Sequence, residues 1–91
     1  MDLRQLEYIV QIAEENNITR AAEKLYITQS ALNQQLLKLE KELGVPLFHR
    51  SRTDWHPTEA GEIYLSAARK MLQMKKDTYY RIHDLAEDRK S

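Results

Sequence analysis

Gln29, Ser30, Asn33, Gln34 and Lys38 fall within one stretch of ten residues. Their carboxamides donate and accept from a single plane, so Gln and Asn can pair two-pronged with adenine in the major groove of duplex DNA. Ser and Lys can bond base edges or phosphates. Leu32, Leu36, Leu39 and Leu43 step by four, three and four, which makes one apolar stripe of a helix. Ser30, Asn33, Gln34, Leu37, Lys38 and Lys41 lie on the opposite face, with Gln29 at the helix mouth. Leu37 offers apolar contact only, for example to a thymine methyl. Taken alone, this face is also what any solvated amphipathic helix presents.

Other chemistries find little support. Ser30 and Ser51 have no His-Asp arrangement nearby, so a hydrolase reading has little support. No phosphate-cradling or dinucleotide-binding glycine pattern occurs, and the two glycines read as helix-terminus residues. The absence of cysteine excludes a disulfide framework and a Cys-based zinc site, and fits a reducing cytoplasm. His49 and His56 could face each other across a hairpin. With no Cys and no clear carboxylate partner they read as solvent-facing rather than metal-binding. Trp55 and the pair Tyr79-Tyr80 read as packing residues. No catalytic residue, metal or cofactor is expected.

The elements that must hold the amide face are legible from periodicity and punctuation. Leu3, Leu6, Ile9, Val10 and Ala13 predict an amphipathic helix over residues 2–15, ended by Asn16-Asn17. Thr19 is the candidate N-cap of a short second helix whose inner face is Ala21, Ala22 and Leu25. After a turn at Tyr26-Ile27, Thr28 caps the third helix, and Gly44 and Pro46 stop it. A short helix with paired alanines, a tight turn and a second capped helix is the helix-turn-helix pattern. Its helix N-terminus offers free N–H groups and a positive dipole end to a phosphate. Residues 47–57 predict two short strands around a basic tip. Thr58 then caps a final helix, with Glu59 and Glu62 near its positive end. That helix has room for about 30 residues, roughly 45 Å.

Composition sets the outer bounds. The chain of 91 residues suffices for one small core. Fourteen basic residues balance fourteen acidic ones, a net charge of zero, which does not advertise a nucleic-acid binder. DNA binding depends on local charge, and Arg4, Arg20, Lys38, Arg50 and Arg52 can gather on one side. The start has no apolar run of signal-peptide length, and apolar runs of two or three residues span no membrane, so a cytoplasmic protein is expected.

Longer motifs sharpen the reading. Leu3-Arg4-Gln5-Leu6, Thr19-Arg20-Ala21-Ala22-Glu23-Lys24-Leu25, Thr28-Gln29-Ser30-Ala31-Leu32, Leu39 through Arg50 and Thr58-Glu59-Ala60-Gly61 follow in order. The ordered set resembles the N-terminal domain of the LysR-type transcriptional regulators over essentially the whole chain. The resemblance implies a mainly α fold: a winged helix-turn-helix with a three-helix core, a short two-stranded wing and a long C-terminal linker helix. Residues 1–57 would be the DNA-binding domain and residues 58–91 the linker and dimerisation helix. Carried over by position, Gln29, Ser30, Asn33 and Gln34 would read bases, Thr28 and Lys38 would hold phosphates, and Arg50 and Arg52 would serve the wing.

Some positions depart from the family pattern. Ser30 stands where proline is usual and Asn33 where serine is usual, both in the reading surface. Thr53 replaces a basic residue, Trp55 an aliphatic one and Pro57 a leucine. Leu37 sits where a polar residue is common.

In the final helix Ala60, Tyr64, Ala67, Met71, Met74 and Thr78 repeat by four and three, and Leu85 continues the phase. A second stripe holds Leu65, Ala68, Leu72, Tyr79, Ile82 and Ala86. One small domain can hardly cover both, so coiled-coil-like pairing with a second copy is expected, through Tyr64, Ala67, Met71, Met74, Thr78 and Leu85. A homodimer places two reading helices about a two-fold axis, suited to an inverted repeat. The expected function is sequence-specific binding of double-stranded DNA by a dimeric regulator. The alternative, prompted by the neutral charge and the altered wing, is a helical interaction module that kept the fold without specific DNA binding. In the family the linker leads into an effector-binding domain. The resemblance implies that this domain is absent from these residues, and that a small-molecule effector acts only through it.

Overall fold

A computed structural model describes residues 2–52 and 54–90. Helix α1 spans Leu3–Glu15, opened by Asp2, whose carboxylate accepts the Gln5 N–H at 2.8 Å. It buries Leu6, Ile9 and Ile12, three residues apart on one face. Asn16 ends it in the left-handed region at φ 53°, a conformation that Asn tolerates. The next residue, Asn17, returns to extended backbone and accepts the Arg20 N–H at 2.9 Å, opening α2 over Ile18–Leu25. Two adjacent asparagines thus end one helix and start the next. This corrects the assignment of Thr19 as N-cap: Asn17 holds that position, and Thr19 lies inside the first turn.

Helix α2 ends at Tyr26, also left-handed at φ 59°. Thr28 then opens α3, Gln29–Leu43, by accepting the Ala31 N–H at 3.0 Å. Ala21 and Ala22 are fully packed, and their small side chains let α2 lie close against its neighbours. Leu32, Leu36 and Leu39 are buried as expected. The stripe does not reach Leu43, which is 48% exposed. Glu40, four residues after Leu36, takes the inward position on the last turn instead. Gly44, at φ 78°, ends the helix in the left-handed region that glycine enters without steric cost.

Strands β1 (Phe48–Arg50) and β2 (Trp55–Pro57) pair antiparallel, with Phe48 opposite Pro57, His49 opposite His56 and Arg50 opposite Trp55. Phe48 turns to the core, while His49 and His56 face outward. The Trp55 N–H donates to the Asn16 carbonyl at 3.1 Å, which fastens the ribbon to the end of α1. Thr53 lies outside the described residues.

Helix α4 covers Glu59–Lys90, 32 residues. The Thr58 hydroxyl accepts the Gly61 N–H at 3.0 Å and donates to the Pro46 carbonyl at 2.8 Å. Gly61 is needed for space rather than as a terminus. A Cβ there would stand 2.0 Å from the Leu47 carbonyl oxygen, so only glycine lets α4 seat this close to the segment entering β1. Tyr64, Leu65 and Ala68 join Leu6, Ile9, Ile12, Leu32, Leu36, Leu39, Leu47 and Phe48 in one core. Past Lys75, which pairs with Glu7 of α1 at 3.6 Å, the helix leaves the body, and the molecule measures 54 × 25 × 19 Å.

Candidate nucleic-acid interface

Three buried leucines on one side of α3 leave its other side outward. Gln29, Ser30, Gln34 and Lys38 are exposed, and Asn33 is half-buried. Leu37 is exposed on the same side, and nothing in its surroundings explains an apolar residue there. No Asp or Glu occurs between Glu23 and Glu40. The first three turns of α3 therefore present amides, a hydroxyl and an ammonium with no carboxylate of their own to repel a polyanion. Thr28 uses its hydroxyl oxygen on the Ala31 N–H, and the hydroxyl proton remains to be donated.

Gln29 is held from outside its own helix. The Thr19 hydroxyl donates to Gln29 Oε1 at 2.9 Å, linking the first turn of α2 to the first residue of α3. Nothing in the spacing of two residues ten apart announces this contact. It depends on the angle at which the turn sets the two helices.

The wing arginines stand differently. Arg52 is exposed. Arg50 makes an ion pair with Glu40 and lies over the Trp55 ring, 5.2 Å from its centroid. Glu40 is buried, and its other oxygen accepts the Leu47 N–H at 2.6 Å. One carboxylate thus joins the end of α3 to the start of the wing, and it holds Arg50 as part of the scaffold. A charged residue four positions after Leu36 on an inward register was the sequence signal for it. On the outer face of the ribbon the rings of His49 and His56 lie 6.2 Å apart. His56 Nδ1 lies 2.8 Å from an Asp54 carboxylate oxygen.

Of the stripe assigned to pairing with a second copy, Tyr64 is buried in its own domain, 7% exposed, and Ala67 is half-buried. Met71, Met74, Thr78 and Leu85 are exposed. In the second stripe Leu65 and Ala68 are in the core, while Tyr79 and Ile82 are exposed. Near the start of α4, Ile63 joins Leu43 and Val45 around an apolar groove.

Three packed helices, the second and third joined by a tight turn, with a two-stranded ribbon behind them, define a winged helix-turn-helix protein. Residues 3–62 match the family described as bacterial regulatory helix-turn-helix protein, lysR family, and the chain belongs to that family. It is 40% identical over 89 residues to the HTH-type transcriptional regulator BsdA of Bacillus subtilis, covering 97% of this chain and 31% of that one. It is 46% identical over 74 residues to BudR of Klebsiella aerogenes, covering 81% of this chain and 52% of that one. The chain therefore spans 31% to 52% of the length of these relatives. Among solved structures it resembles the CbnR_DBD-DNA complex, at 35% identity and TM-score 0.82, covering 94% of this chain and 99% of that one. It also resembles the BenM_DBD/benA site 1 DNA complex, at 35% identity and TM-score 0.86, covering 94% and 97%.

Proposed function

We propose that this chain binds a specific sequence of duplex DNA, as the DNA-binding part of a transcription regulator. The observation that carries the reading is the outward face of α3: exposed Gln29, Ser30, Gln34 and Lys38 at a capped helix start, free of carboxylates from residue 24 to residue 39. The start of α3 enters the major groove, where the amides of Gln29, Asn33 and Gln34 meet base edges and Ser30 adds a short contact. Thr28 and Lys38 bond the phosphates that fix the register. Arg52, exposed on the wing, meets backbone beside the groove, and Arg50 supports the wing from below. The resemblance to chains solved with DNA supports this assignment.

In the same proposal two copies pair through the exposed stretch of α4, with residues 58–91 as the linker and residues 1–57 as the reading unit. A two-fold pair recognises an inverted repeat. In the same proposal, response to a small molecule falls to a further domain.

Selection of bound duplexes from a random pool yields the half-site, its spacing and its symmetry. Against the selected duplex, Gln29→Ala with Gln34→Ala is expected to reduce discrimination over a scrambled duplex by about 100-fold, at roughly tenfold per lost amide pair. Affinity for the scrambled duplex at matched salt is expected to stay within about threefold, since phosphate contacts carry it. Unchanged discrimination would mean that α3 is not the reading element.

A further inference from the structure

We propose that Thr19 is a positioning residue for base reading by Gln29, so that the first turn of α2 helps to set sequence preference without touching a base. The inference rests on the reading of α3 given above. Asn17 accepts the backbone N–H that caps α2, so the Thr19 hydroxyl is not required by its own helix. Position 19 lies in the first turn, and no carbonyl of α2 stands three or four residues behind it to capture that hydroxyl. It turns outward and donates to Gln29 Oε1 at 2.9 Å.

This bond acts on an exposed side chain of the reading surface. A glutamine at the exposed start of a helix samples many rotamers, and ordering such a side chain on binding weakens the complex. Thr19 is β-branched and stiff at χ1, so it is a firm anchor. Once Oε1 has accepted one hydrogen bond it keeps a second lone pair, and both Nε2–H bonds remain free. The amide can therefore engage a purine edge while still held from α2. Exclusion of water in the complex strengthens the tie, because the competing solvent is removed.

The test uses the full 91-residue chain and the duplex selected by the wild type. The base pair read by Gln29 is the one whose preference disappears in Gln29→Ala. Thr19→Val keeps the shape and removes the hydroxyl. It is expected to lower discrimination at that base pair by about fivefold, part of what a complete amide pair supplies. Affinity for a scrambled duplex and the melting temperature should stay at wild-type values. Thr19→Ser should restore discrimination to within about twofold, and Thr19→Val added to Gln29→Ala should cost no further discrimination.

Loss of affinity for all duplexes alike would overturn the proposal and make Thr19 a phosphate contact. Full discrimination in Thr19→Val, with loss in Gln29→Ala, would overturn the positioning role while leaving base reading intact. If Gln29→Ala itself changes no preference, the base-reading assignment of Gln29 fails, and the role of Thr19 fails with it.

Discussion

Tyr64 buries its hydroxyl with no hydrogen-bond partner among the described residues. Burial pushes its phenol above the ordinary tyrosine value, and the nearby Asp2 carboxylate adds to the rise. In the unfolded chain such a phenol loses its proton near pH 10. The folded chain keeps the proton to a higher pH, so the associated stability is complete below the unfolded value and disappears as pH rises through the folded one. Tyr64→Phe removes the group and the dependence together. It is expected to raise the midpoint of alkaline unfolding. At pH 7 it should leave stability unchanged or improve it by up to about 1 kcal/mol, because no bond is lost and an unmatched polar atom is removed. Circular dichroism melts at pH 7 and above pH 10 read both effects. A loss larger than that at pH 7 would show that the hydroxyl has a partner.

At the scale of elements, the wing is short and needs external support: a two-stranded ribbon alone is marginal in water. The support comes from Glu40, which accepts the Leu47 N–H and pairs with Arg50, and from the Trp55 N–H on the Asn16 carbonyl. Glu40→Ala leaves a buried N–H and a guanidinium without their acceptor and is expected to destabilise the chain by about 3 kcal/mol. Glu40→Gln keeps an acceptor for Leu47 but loses the charge, and should lose about half as much. Urea titration of the two variants ranks them. Equal losses would mean that the bond with Leu47 adds nothing beyond the ion pair with Arg50.

The whole molecule is elongated because α4 continues beyond its own body. Beyond Leu72 it presents Met74, Tyr79, Ile82 and Leu85 to solvent, with Met74 69% exposed. A second copy laid along this face buries that surface and supplies the symmetry an inverted repeat requires. Met71→Glu with Met74→Glu places charges in the proposed seam. Sedimentation velocity should then show a monomer where the unmodified chain is expected to sediment as a dimer. Affinity for a two-half-site duplex should fall by about 100-fold while half-site affinity is kept, since only the effective concentration of the second contact is lost. A dimer that survives both substitutions would move the interface elsewhere. The zero net charge does not oppose DNA binding, because the segment from residue 24 to residue 39 holds only basic and neutral side chains.

Periodicity and capping are local, and those parts were legible in the sequence. The leucine spacing of α3, the Thr28 cap, the Gly44 stop and the two short strands all follow from residue type and near neighbours. So did the outward direction of Gln29, Ser30, Gln34 and Lys38, since burying one side of a helix leaves the other in water. Two displacements by a neighbouring residue were not legible: Asn17 in place of Thr19 as cap, and Glu40 in place of Leu43 as the last inward residue. Each depends on where a second element lies. The same holds for the Thr19–Gln29 bond, the engagement of Arg50 by Glu40 and the burial of Tyr64. A sequence pattern specifies which face of an element is apolar, but contacts between residues ten apart form only when packing sets the angle and distance between their helices.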